Sequence, residues 1–175
     1  MKYFTPQLWL GFNSPRSKVA FATWDRRFKA YQTNLKTILP KLNSGARRFF
    51  QDALLLHDGT LTKMELGDRI RDTDGKATRG IANRRQLVVR LFVLSDRVDQ
   101  HCYTLEYKNI DRVEVDYPGK LKLFPIGFSS NLGDWGYDEL TSVANGLFRH
   151  EILFSSGATI TIDFRQISVR RKRAE

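Results

Sequence analysis

Three histidines, His57, His101 and His150, are the only imidazoles this chain can bring to a reaction. A zinc-type centre needs two or three such rings to converge with a carboxylate. His57-Asp58 sets a ring beside a carboxylate at a chain reversal, so a metal-dependent hydrolase would be built there, although an Asp that simply makes the turn is the blander reading. His150 shares a strand face with Phe148 and Ile152 while Glu151 points the other way, and His101 alternates with Tyr103 and Leu105, which suits hydrogen-bonded core histidines. Cys102, the single cysteine, follows His101 directly. Adjacent strand residues face opposite ways, so the two cannot form a thiolate–imidazole pair. Asp138, Glu139 and Glu151 offer carboxylates for acid–base work, but each equally suits a solvated strand position.

Other chemistries lack their residues. Neither G-x-G-x-x-G nor G-x-x-x-x-G-K-[ST] occurs, and Gly127, Gly133 and Gly136 precede a strand rather than the helix a phosphate cradle requires. Asp72-Thr73-Asp74-Gly75 begins like a calcium loop but lacks its sixth-position glycine and reads as a turn. No G-x-S-x-G elbow surrounds any serine. The expectation is a protein that is not an enzyme, with no cofactor and no metal.

Binding is the remaining class, and two sets of residues suit it. Trp135, Tyr137, Asp138 and Glu139 follow Gly133 in a glycine-rich stretch that reads as a loop, and aromatic anchors ringed by acids suit a protein partner. The second set is basic. The chain has 29 Lys and Arg against 19 Asp and Glu, a net charge of +10 with pI about 9.9. Residues 1–53 carry ten cations against only Asp25 and Asp52, whereas residues 54–118 balance to zero. Lys18, Arg26, Lys29 and Lys36 form a ridge on one helical face, Arg47 and Arg48 follow, and Arg170, Arg171, Lys172 and Arg173 close the chain. Such cations could follow a phosphate backbone.

The elements that must position these residues follow from periodicity. Phe21, Trp24, Phe28, Tyr31, Leu35, Ile38 and Leu42 recur every three or four residues, the stripe of an amphipathic helix over about 15–39. Ser14-Pro15 supplies its start and Pro40 its end. A short helix over about 45–54 carries Ala46, Phe49, Phe50, Ala53 and Leu54 on one side. From residue 59 the period becomes two, through Thr62-Met64-Leu66, the apolar run 87–94, Tyr103-Leu105-Tyr107 and Val113-Val115-Tyr117. Run 87–94 reads as a central strand covered on both faces. The clearest hairpin is 148–164, turning at Ser155-Ser156-Gly157, and a strand over 137–143 joins it through Ala144-Asn145-Gly146. The fold class is therefore α+β: one domain over 1–169, with a long helix and a short helix (about 15–54) packed on a mainly antiparallel sheet of about six to seven strands (about 59–165), then a basic C-terminal tail at 170–175.

Lys2-Tyr3-Phe4-Thr5-Pro6, Leu56-His57-Asp58, Tyr137-Asp138-Glu139 and the closing run from His150 to Phe164 resemble a set of small uncharacterised bacterial α+β families, some of which resemble immunity proteins of antibacterial toxin systems. The resemblance implies a non-enzymatic, cytoplasmic protein-binding module whose partner is a toxin domain. It carries no catalytic residue. The alternative is a nucleic-acid-binding protein using the basic helical face and tail. No apolar run approaches the ~20 residues a spanning helix needs, so no membrane partner is expected.

Overall fold

The computed structural model describes residues 1–12, 18–52, 54–69, 86–96, 101–117 and 132–173. Three α-helices precede six strands: α1 (Pro6–Phe12), α2 (Lys18–Ile38), α3 (Ser44–Gln51), β1 (Gly59–Arg69), β2 (Gln86–Leu94), β3 (His101–Asp116), β4 (Asp134–Ser142), β5 (Phe148–Phe154) and β6 (Thr159–Arg173). The apolar stripe of α2 is buried at Tyr31, Leu35 and Ile38 and half-buried at Trp24 and Phe28, while Phe21 at its start is exposed. The proposed helix start at Ser14-Pro15 lies outside the described residues. At the other end Pro40 cannot continue the α-helix, and the chain tightens into a 3-10 turn over Leu39–Lys41.

Asn43 then opens α3. Its side-chain oxygen accepts the Ala46 N–H at 2.9 Å, the N-cap bond that favours Asn at this position. Its amide nitrogen donates to the Ile167 carbonyl of β6, tying the cap to the sheet. The Arg47 guanidinium donates to the carbonyls of Leu39, Pro40 and Leu42, the orphan acceptors of the preceding turn. Helix α1 adds an element the periodicity does not announce, started by Thr5, whose hydroxyl accepts the Leu8 N–H at 3.2 Å, with Pro6 at its first position.

The strands make the antiparallel sheet expected of them, and that sheet closes on itself as a barrel in the order β1-β2-β3-β6-β5-β4. Register shifts between Leu61 and Lys63, Ile110 and Arg112, and Trp135 and Tyr137 bend the strands. The closing seam is short: β1 meets β4 only through Gly59 with Trp135 and Thr60 with Asp134. Beyond it the open edge of β4 is covered by helix, and the Leu140 N–H donates to the Tyr31 hydroxyl of α2 at 3.1 Å. The first residues cover the neighbouring wall. Glu139 accepts the N–H groups of Lys2, Tyr3 and Phe4, and the Met1 ammonium lies 2.6 Å from Glu151.

Inside the barrel stand Val89, Leu91, Val93, Leu105, Ile152, Phe154, Ile160, Ile162 and Phe164, all 1 % exposed or less. Strand β2 corrects one expectation. Val89, Leu91 and Val93 on its odd face are buried, but Leu87 is exposed and Arg90, Phe92 and Leu94 on the even face are only half-buried, because a barrel wall has one inner face and the helices do not cover this stretch. The β4–β5 turn holds Asn145 and Gly146 in the left-handed region, at φ 60° and 70°, as an Asn-Gly turn requires. No described helix is long and apolar enough to cross a membrane.

Candidate functional site

Strand β4 holds the four residues expected to meet a protein partner, and it corrects that expectation. Trp135 is fully buried, Tyr137 and Glu139 are buried, and Asp138 is half-buried. The glycines at 133 and 136 suggest a loop. Gly136 instead answers a packing demand: a Cβ there would lie 2.3 Å from the Trp9 ring. No partner can reach this indole without opening the fold.

What β4 builds is a polar chain through the barrel interior. The Trp135 indole N–H donates to Asp138 Oδ1 at 3.0 Å, Asp138 Oδ2 lies 2.9 Å from His150 Nε2, and His150 Nδ1 lies 2.7 Å from the Tyr107 hydroxyl. With the ring neutral, Nε2–H donates to the carboxylate and Nδ1 accepts the tyrosine proton. Burial, then the Asp138 charge, pushes the Tyr107 hydroxyl well above its ordinary value. His150 is thus a satisfied core histidine. Phe50 of α3 lies edge-on to its ring at 5.1 Å, so helix and barrel exclude water from it. The carboxylates also depart from the solvated reading, since Asp138 points inward to this chain and Glu139 outward to the first residues.

His57 does not become a metal centre among the described residues. Its Nδ1 lies 2.7 Å from the Gly136 carbonyl, and its ring stacks on Tyr137 with centroids 4.8 Å apart. Asp58, at φ 63°, is exposed and its carboxylate lies 3.9 Å from His57 Nδ1. Burial, with Asp58 nearby, pushes the Tyr137 hydroxyl up to about 12, and burial with Asp58 and Asp96 raises Asp134. Among the described residues no group of three or more His, Cys, Asp or Glu could hold an ion.

The basic residues expected to meet nucleic acid are exposed, and the structure separates the cations by their partners. Lys29 of α2 is paired with Asp25 at 2.6 Å. On the barrel wall Lys63 meets Glu65, Arg90 and Lys108 meet Glu106, Arg112 meets Glu114, and Arg149 holds Asp163 through two bonds of 2.7 Å. Lys18, Arg26 and Lys36 of the α2 ridge have no carboxylate partner among the described residues, and their helix turns Trp24 and Phe28 toward the core.

At α3 and the end of β6 the unpaired cations gather. Arg170, Arg171, Lys172 and Arg173 do not form a tail: they are the last residues of β6, paired with β3 in the register Thr104–Arg170 to His101–Arg173. The run reads as a frayed end because four cations carry no apolar alternation, yet the β3 backbone supplies their ladder. Arg171 and Arg173 lie on the Tyr103 face of the strand, where Arg48 projects from α3, and Arg170 and Lys172 on the opposite face; none of the five has a carboxylate partner among the described residues.

Helix α3 lies across β6, where a Cβ on Gly45 would sit 3.3 Å from the Val169 carbonyl, and a cleft opens on each side. One, of about 350 Å³, carries Lys41, Lys108 and Arg165 with Asn43 and Ser168. The other, of about 370 Å³, sets Arg48 and Arg171 at an opening lined by Phe49, Tyr103, Leu55 and Val169. Lys41, Lys108 and Arg165 escape a reading of the sequence, because they come from a turn and two strands that only the register brings together. Comparison with family models finds no match, and neither the curated proteins nor the solved structures supply one.

Proposed function

We propose that the protein binds nucleic acid through the face formed by α3 and the end of β6. The observation that carries this reading is the contrast in pairing: many cations on the barrel wall are neutralised by neighbouring carboxylates, whereas Arg48, Arg171 and Arg173 on this face are not. Unpaired surface cations at close quarters repel one another, and a polyanion relieves that repulsion while releasing its own counterions. The cleft on the other side of α3 adds Lys41 and Arg165, while its Lys108 is paired with Glu106. Arg47 serves differently, holding the turn that positions α3. A protein-binding role, including that of a toxin inhibitor, would need a contact segment other than Trp135–Glu139.

The test is binding of a labelled mixed-sequence oligonucleotide over a salt series. Affinity should fall linearly on a log–log plot, with a slope of about −0.7 to −0.9 per phosphate contacted. The double variant Arg48→Glu/Arg171→Glu should lose about tenfold or more at low salt and flatten the slope by about 1 to 2. No binding at low salt by the unaltered chain would end the proposal.

A further inference from the structure

We infer that the nucleic acid is single-stranded, with one base turned into the cleft between α3 and β6 beside Tyr103 and the flanking phosphates on Arg48 and Arg171. This deepens the nucleic-acid reading and rests on it.

Three observations point this way. The cleft mixes apolar and cationic groups: Phe49, Leu55, Tyr103 and Val169 line it, and the Arg48 and Arg171 guanidinium groups stand beside them without carboxylate partners among the described residues. A duplex keeps its bases stacked and presents phosphates and groove edges, which a protein reads with a protruding helix or ribbon. It has nothing to place in a recess of this size, whereas a single strand can splay a base out into contact with aromatic side chains. Second, the cleft's volume of about 370 Å³ falls in the range of small-ligand sites. Third, its polar groups suit an uncharged base within and anions outside. Tyr103 has a hydroxyl with no hydrogen-bond partner among the described residues. Asp52, the one carboxylate of the lining, disfavours a phosphate inside the cleft.

The experiment is fluorescence anisotropy with the full chain, comparing twelve-nucleotide DNA and RNA single strands with their duplexes at one salt concentration. A parallel series replaces one base with 2-aminopurine. Either single strand should bind about tenfold or more tightly than its duplex, and the probe base should change in emission on binding. The DNA and RNA arms show which backbone is preferred. Leu55→Trp, which fills the cleft, should weaken single-strand binding and leave duplex binding unchanged. Lys63→Glu/Arg112→Glu alters net charge as much as Arg48→Glu/Arg171→Glu, but on the paired wall, and should leave the strand preference intact. Duplex affinity equal to or above that of the single strand would overturn the inference while leaving the nucleic-acid reading standing. So would an unresponsive 2-aminopurine, or a strand preference that survives Arg48→Glu/Arg171→Glu. Failure of every arm to bind at low salt would remove the underlying reading instead.

Discussion

Glu106 shows how a single side chain can be held ionised on a barrel wall. Burial opposes its charge, but hydrogen bonds from Lys108 and Arg90 outweigh burial and bring its pKa down from 4.5 to about 2. Because the folded value lies below the unfolded one, the folded state binds fewer protons in this range. The stabilisation is therefore complete above about pH 4.5 and lost as pH falls toward 2. Glu106→Gln should cost about 1 kcal/mol at pH 7, and the difference in urea midpoint between variant and parent should shrink at pH 3; a constant difference would refute the assignment. Glu139 acts in the opposite sense. Burial raises its pKa despite the N–H groups of Tyr3 and Lys2, so its contribution declines as pH rises above its ordinary 4.5. Neither behaviour is legible in the sequence, where both are glutamates in alternating strands. The difference is what lies opposite: Arg90 across the strand pair for one, the chain's own first residues for the other.

Among the elements, α3 does the most with the fewest residues. Phe49 and Phe50 seal the barrel, Arg48 reaches the cleft, and Asn43 fixes the whole helix by capping it and bonding β6 at once. Asn43→Ala should cost about 1 to 2 kcal/mol, measured by chemical denaturation. Asn43→Asp keeps the acceptor for Ala46 N–H but loses the donor to Ile167, and should fall between parent and alanine variant; equal stability of Asp and parent would show that the tie to β6 contributes nothing. The body of α2, α3 and the alternating strands are readable in spacing alone, because a buried stripe repeats with the period of its backbone. Two things are not. In β4, Gly136, which seats Trp9 at the bend of the strand, looks with the preceding Gly133 like a loop residue, so a buried indole reads as an exposed one. At the end of β6 the four cations look like a tail, because strand pairing there is supplied by β3 and leaves no mark on the side chains.

At the scale of the molecule, closure is the feature periodicity cannot announce. An alternating strand reads the same in an open sheet and in a barrel, and the difference lies in whether the two edge strands meet. Here they meet through two residue pairs and the Asp58 N–H to Trp135 carbonyl bond of 2.8 Å. So narrow a seam should open more readily than the long β3–β6 interface. Native-state hydrogen exchange should find weaker protection at Asp58 and Thr60 than at Leu105 or Tyr107, and equal protection would show that the seam opens only with the whole fold.

The strand order adds a consequence for assembly. Strands β1-β2-β3 form one run of consecutive neighbours and β4-β5-β6 another, joined along β3 and β6. Each half can zip up from contacts close in the chain, so the entropic cost of bringing distant segments together falls on two events: docking of the halves, and the meeting of Gly59 with Trp135. Folding should therefore finish where unfolding begins. The short seam would act as the latch of a molecule assembled from two prefabricated leaves.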